Sequence, residues 1–233
     1  FLEFDATTGE VERLASPELP YISWNSIRSF ESTDLVLNGR PIFMLDRDRT
    51  SEFYTFDPLT RAIEKIGEYD KQGANEKRTV PIRISGGQMI FVTVNKEDNI
   101  VSFKFNEKRK VAEQVVESNV DHERSARLFH LEGLSDEQGR PTVASIDPWG
   151  RTKIVSVDPQ SGEIAEMTSF NLSERIAELS SVSNLHFANM SYNRNSKTFV
   201  IGTIGGTVTF DLRDIIETSG LQEEDQWEPP EIC

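Results

Sequence analysis

Apolar and polar positions along this chain alternate in short runs broken by polar turns, and residues 37–66 set the pattern: LNGRPIFMLDRDRTSEFYTFDPLTRAIEKI. Three consecutive strands are predicted there, over 40–45, 52–56 and 62–66. The last follows a tight turn at Asp57-Pro58-Leu59-Thr60. The same grammar recurs along the chain. An aromatic or β-branched run ends in Asp or Asn, a turn follows, and a second short strand comes after it. The anchors are Asp5, Asp57, Asn106, Asp158 and Asp211, spaced 52, 49, 52 and 53 residues apart. A fixed period near fifty marks a repeat array, and its length fits a propeller blade of four strands. The turn chemistry agrees. The Asp or Asn side chain caps its own turn, Pro fixes φ at the next position, and Gly9 or Gly162 supplies a positive φ.

A second feature keeps register with the first. Gly39-Arg40, Gly87-Gln88 and Gly139-Arg140 precede the apolar strands PIFML, MIFVTV and PTVASI, 18 or 19 residues before their anchors. The last copy has Asn195-Ser196-Lys197 before TFVIGTI instead. This grammar resembles the kelch-like branch of the β-propellers, close to the WD-repeat class, with 37–66 the nearest match and 85–115 the next. It departs from the kelch pattern where Leu45-Asp46 and Val94-Asn95 replace the usual diglycine. Ile63, Ala112 and Ile164 stand where a tryptophan is usual, and no Trp-Asp signature is present. The resemblance implies a fold and a binding role; it names no partner and carries no activity.

Taken in order, residues 1–15 read as a hairpin and 16–36 as the innermost strand of the next blade, placed at 22–30, with Trp24 in the core. Polar linkers at 67–79 and 119–127 lead into the third and fourth blades respectively. Ile100, Ser102 and Lys104 alternate with Val101, Phe103 and Phe105, predicting one packed face and one polar face. Residues 171–182 break the pattern. Asn171 and Glu174 form a capping-box-like start, and Leu172, Ile176 and Leu179 share one face, so a short helix packed on the ring as a lid is expected. A second short helix is expected over 211–219. The last blade then lacks an outer strand, which the N-terminal hairpin is expected to supply. The expected fold class is therefore all-β: a propeller of about five four-stranded blades, or part of a larger ring, spanning 1–220 as one domain. An acidic flexible tail follows over 221–233, where Trp227 reads as part of a linker.

Composition narrows the function. At 233 residues, 36% hydrophobic and 27% charged, the chain is globular rather than disordered. No apolar run approaches the length of a membrane span, so no membrane insertion is expected. The chain starts at Phe1 inside a repeat and reads as trimmed. A net charge of −14 argues against direct nucleic-acid binding, although Glu223, Glu224, Asp225, Glu228 and Glu231 in the tail supply part of it. Cys233 is the single cysteine, so no internal disulfide forms, and an intracellular, reducing compartment is expected. The sequons at Asn171 and Asn189 are read as accidental.

In a propeller, the loops joining the second and third strands of each blade crowd one face with the linkers between blades. Here they carry Asp46-Arg47-Asp48-Arg49, Asn95-Lys96-Glu97-Asp98, Asp147-Pro148-Trp149-Gly150-Arg151, Ile204-Gly205-Gly206 and the linker Asp121-His122-Glu123-Arg124. Arg47, Arg49, Lys96, His122, Arg124, Trp149 and Arg151 stand out on an acidic protein. Arg and Trp are enriched at binding hot spots, and Arg forks suit an acidic or phosphorylated peptide. Catalytic signals are weaker. Asp46, Asp48, Asp98 and Asp147 offer carboxylates for a glycosidase pair, but nothing selects two of them. His122, His130 and His186 are scattered and form no metal set. Gly86-Gly87 and Gly205-Gly206 precede strands rather than helices, and no Gly-x-Ser-x-Gly elbow is present. The expected function is a non-catalytic protein–protein interaction module, a scaffold or substrate-recognition propeller, with no cofactor and no metal. The alternative is a carbohydrate-binding or glycoside-hydrolysing propeller.

Overall fold

The computed structural model describes residues 2–4, 11–13, 27–37, 39–47, 50–57, 59–60, 62–70, 79–83, 89–95, 97–106, 111–121, 126–179, 190–203, 206–215 and 220–223. Antiparallel sheets succeed one another along the chain. A hairpin, β1 (Leu2–Phe4) with β2 (Val11–Arg13), comes first. The first full blade is β3 (Ile27–Leu37), β4 (Arg40–Arg47), β5 (Thr50–Asp57) and β6 (Ala62–Asp70), hydrogen-bonded in that order. The second is β7 (Val80–Arg83), β8 (Met89–Val94), β9 (Asn99–Asn106) and β10 (Val111–Asp121). The third is β11 (Arg127–Asp136), β12 (Pro141–Ile146), β13 (Arg151–Val157) and β14 (Ile164–Asn171). The fourth has three strands, β15 (Met190–Asn193), β16 (Thr198–Thr203) and β17 (Gly206–Asp211). Helix α1 (Leu172–Leu179) joins the third blade to the fourth, and a 3-10 turn (Leu212–Ile215) follows β17.

The blades stand side by side. The fourth strands β6, β10 and β14 contact in succession, and so do the first strands β7, β11 and β15. First strands on one side and last strands on the other make the radial array of a propeller, and the expected all-β propeller is the fold observed. The anchors do what their chemistry predicts. Asp57 Oδ1 accepts from the N–H groups of Leu59 (2.9 Å) and Thr60 (3.3 Å), and Asp158 Oδ1 from those of Gln160 (2.7 Å) and Ser161 (2.8 Å). Gly39 and Gly139 turn with φ of 77° and 71°, which explains glycine ahead of the second strand.

Three expectations are corrected. The innermost strand placed at 22–30 is described as β3, which extends past that range to Leu37. Among the described residues the N-terminal hairpin pairs only within itself, and no strand lies outside β17. The chain instead returns after the 3-10 turn as β18 (Leu221–Glu223), which pairs with Leu134–Asp136 of β11. The polar face expected along β9 is absent. Ile100, Val101, Ser102 and Phe103 are all fully buried, because a blade is covered on both sides by its neighbours. Ser102 is satisfied by donating to Gly162 O across the blade interface at 2.6 Å, and Lys104 donates to Gln160 O at 2.7 Å.

The core lies between blades. Phe53, Phe91, Phe103 and Tyr69 fill the first interface, with Tyr69 stacked on Phe103 at 4.0 Å between centroids. Val80, Ile82, Ile90, Leu128 and Val155 belong to the second. The third gathers Phe129, Leu131, Phe199 and Ile201 with Leu172 and Ile176 of α1, Leu212 and Ile215 of the 3-10 turn, and Leu221 of β18. Helix α1 starts as its sequence predicts: Asn171 Oδ1 accepts from Ser173 N–H (3.0 Å), and Asn171 Nδ2 donates to Glu174 Oε1 (3.0 Å). Its apolar face joins the core, as a lid would. Trp24 and Trp227 lie outside the described residues.

Candidate functional site

The loop face selected from sequence holds three described candidates, Arg47, Trp149 and Arg151; Arg49, Lys96, His122 and Arg124 lie outside the described residues. Arg47 Nε donates to Glu52 Oε2 at 2.9 Å, and the same carboxylate takes Tyr54 Oη and Lys65 Nζ. That network ties together β4, β5 and β6 along the first blade. Arg151 is a strut of its own turn. Asp147 Oδ1 accepts from the N–H groups of Trp149 (2.8 Å) and Arg151 (2.9 Å), and its Oδ2 accepts from Arg151 Nε (2.6 Å). The turn at Asp136 repeats this with Gln138 and Arg140. Trp149 is 65% exposed, with the Arg151 guanidinium 5.4 Å from its ring centre. The structure thus brings Trp149 and Arg151 together and engages Arg47 within its own blade.

Among the described candidate glycosidase carboxylates, two are engaged in hydrogen bonds of the fold. Asp46 and Asp147 are buried, with their oxygens committed to turn and linker hydrogen bonds. Asp98 sits in a turn at φ 65°, and Asp48 lies outside the described residues. Among the described residues no three His, Cys, Asp or Glu side chains gather as a metal site.

A built cavity lies elsewhere, along the first strands of three successive blades. A pocket of about 330 Å³ is lined by Val80 of β7, Leu128, Phe129, His130 and Glu132 of β11, Met190, Ser191 and Tyr192 of β15, and Arg194 just beyond it. Leu128, His130 and Glu132 occur at alternate positions of β11, so the strand presents them on one face while Phe129 and Leu131 enter the third interface. Across the interface, Arg194 Nη1 donates to Glu132 Oε1 at 2.9 Å. Tyr192 Oη and Lys197 Nζ both donate to the Glu132 carbonyl, at 3.2 and 3.3 Å. Burial pushes His130 down to about 4, only partly opposed by the Glu132 charge, so the imidazole is neutral near pH 7. The pocket therefore combines an apolar floor, a neutral imidazole, a hydroxyl, a carboxylate and a guanidinium, the mixture that suits a polyhydroxylated ligand.

Sequence reasoning noticed His130 only as a scattered histidine and passed over Glu132, Tyr192 and Arg194. The available signal was ARLFHLEGL, where two polar residues interrupt the face of an otherwise apolar inner strand.

No family model matches this chain, and no curated protein matches it. Solved structures do. A provisional 6-phosphogluconolactonase of Bacteroides uniformis is similar with a TM-score of 0.54 at 11% identity, over 97% of this chain and 63% of that one. A Lactobacillus plantarum protein is similar at 0.51 and 10% identity, over 85% and 54%. The Pseudomonas aeruginosa periplasmic gluconolactonase PpgL gives 0.44 at 12%, over 62% and 39%. The chain spans less than two thirds of each. At such identities the likeness bears on the propeller fold and not on its kelch branch. Among the described residues no helix is long and apolar enough to cross a membrane. The expected non-catalytic interaction module is corrected: a structure similar over nearly the whole chain carries a lactonase name, and among the described residues a cavity lies on the inner strands.

Proposed function

We propose that this chain is a carbohydrate-processing propeller that takes a sugar lactone in the pocket between β7, β11 and β15 and hydrolyses it. The observation that carries this reading is the set His130, Glu132, Tyr192 and Arg194 converging over Val80, Leu128 and Met190 in a cavity of about 330 Å³. That volume sits at the small end of ligand pockets and suits a single sugar ring. The name of the Bacteroides uniformis propeller supports the same class of substrate. Hydrolysis adds water to the lactone carbonyl carbon, breaks the ring C–O bond and returns a proton to the ring oxygen. Glu132 holds and polarises the water, Arg194 stabilises charge on the carbonyl oxygen, and neutral His130 hydrogen-bonds the ring hydroxyls. The single cysteine supports an intracellular setting.

The test is proton release from δ-gluconolactone followed by pH-stat against the spontaneous rate, with gluconate binding measured by calorimetry. The expected result is hydrolysis faster than in buffer, falling at least tenfold in Glu132→Gln. A wild-type rate equal to buffer, with no heat of gluconate binding, overturns the reading.

A further inference from the structure

Glu132 stands where β11 leaves its ladder. The pairing with β12 steps from His130 opposite Val143 to Ser135 opposite Pro141, five positions along β11 against two along β12. The surplus residues bulge out of the sheet, and a bulge beside a site re-aims the side chains it carries. Gly133 turns there at φ 83°, in the left-handed region that glycine enters freely. Both ends of the bulge are pinned. His130 stays opposite Val143, and Leu134, Ser135 and Asp136 pair with β18. The Leu134 carbonyl takes the buried Thr142 hydroxyl at 3.0 Å. The Glu132 carbonyl, out of register with β12, is held instead from the next blade. Tyr192 Oη donates to it at 3.2 Å, and Lys197 Nζ reaches the same oxygen at 3.3 Å. The two donors differ. Lysine ends a flexible chain, whereas the Tyr192 ring packs on Phe199 at 5.5 Å between centroids, so its hydroxyl has little freedom. Tyr192 also lines the pocket.

We infer that Tyr192 is a positioning residue for Glu132: its hydroxyl fixes the main chain of the β11 bulge, and the bulge sets the Glu132 carboxylate at the pocket. Arg194, two residues beyond Tyr192, meets the carboxylate of the same residue, so the fourth blade grips Glu132 at both its main chain and its side chain. The ion pair is more than half exposed on both sides and is too weak to fix a side chain by itself. The main-chain contact is therefore the fixed point, and a reacting group displaced by about 1 Å loses much of its rate. This inference rests on the role of Glu132 in lactone hydrolysis and adds what holds that residue in place.

Steady-state hydrolysis of δ-gluconolactone tests it on wild type, Tyr192→Phe, Glu132→Gln, the Tyr192→Phe/Glu132→Gln double variant and Gly133→Ala, each with its urea midpoint measured. Tyr192→Phe keeps the ring on Phe199 and removes only the hydroxyl. It is expected to lower kcat about fivefold, the scale of one hydrogen bond, with KM and the midpoint unchanged. Because Tyr192 acts through Glu132, the double variant is expected to be no slower than Glu132→Gln alone. Gly133→Ala strains the left-handed turn and is expected to lose at least as much kcat; where it does not fold, Tyr192→Phe decides alone. Full kcat in Tyr192→Phe, with Glu132→Gln still slow, overturns the inference and leaves the lactone reading standing. So does a double variant in which the two losses multiply, since Tyr192 then acts independently of Glu132. A wild-type rate equal to buffer overturns both.

Discussion

Asp46 Oδ2 accepts a hydrogen bond from the backbone N–H of Thr79 at 2.8 Å, joining residues 33 apart in sequence. Its other oxygen takes Ser51 Oγ at 2.8 Å, and Ser51 Oγ meets Thr79 Oγ1 at 2.7 Å. All three residues are fully buried. The knot fixes the end of the first blade's second strand to the linker that enters the second blade. Asp46→Ala removes the acceptor and leaves a buried N–H and a buried hydroxyl short of partners. About 1–3 kcal/mol is expected per unsatisfied group. Urea unfolding should show a lower midpoint with an unchanged slope, and Asp46→Asn, which keeps one oxygen, should lose less.

Aromatic residues divide by position. Phe103 is fully buried, stacked on Tyr69 and on Phe91 at 5.2 Å. Phe103→Ala opens a cavity between two blades and is expected to cost about 3–5 kcal/mol. Trp149 stands 65% exposed on its turn, and Trp149→Ala is expected to stay within about 0.5 kcal/mol. Thermal unfolding of the two variants side by side checks the contrast.

Stability should depend on pH in two stages. His130 sits at about 4 in the folded chain, against about 6.5 when unfolded, because burial disfavours its charged form. Between those values the unfolded chain binds a proton that the folded chain refuses, so stability falls as pH falls from about 6.5 to about 4. The side chain is partly exposed, which holds the loss to at most about 3 kcal/mol. Asp57, Asp158 and Asp211 act in the same sense at lower pH, since their folded carboxyls also hold protons less readily than the unfolded ones. The Leu59 N–H holds Asp57 below the usual carboxylate range, the Ser161 N–H does so for Asp158, and the Arg213 side chain for Asp211. Their contribution is present above the ordinary carboxylate range near 4 and is lost below it. Denaturation midpoints measured from pH 8 to 3 should decline first below 6.5 and more steeply below 4. His130→Gln should remove the first decline alone.

The propeller was legible because its repeat is written in turn chemistry. Asp57, Asp158 and Gly139 each do locally what their residue type does in any protein. What depends on how blades face one another was not legible. Ser102 reads as a polar face along one strand, yet a neighbouring blade covers it. Arg151 reads as a hot spot, yet Asp147 four residues before it takes its Nε. The pocket needed β7, β11 and β15 side by side, residues separated in sequence by whole blades, so nothing local joined Glu132 to Arg194. Choosing among 39 acidic residues by sequence alone had no physical basis; the contact across the interface supplies one.

That contact also separates stability from activity. Arg194 and Glu132 are bonded at 2.9 Å but are 65% and 53% exposed, and water screens the pair. Arg194→Ala is therefore expected to cost less than about 1 kcal/mol of folding stability. A residue that stabilises charge on a lactone carbonyl acts in the transition state, where loss of one donor costs roughly 2.7–4 kcal/mol, or about a hundredfold or more in kcat. Steady-state hydrolysis of δ-gluconolactone should accordingly show kcat falling in Arg194→Ala with little change in the unfolding midpoint. A variant that loses stability and keeps its kcat would assign Arg194 to blade docking instead. Equal falls in kcat and kcat/KM would place its contribution in the transition state rather than in binding the ground state.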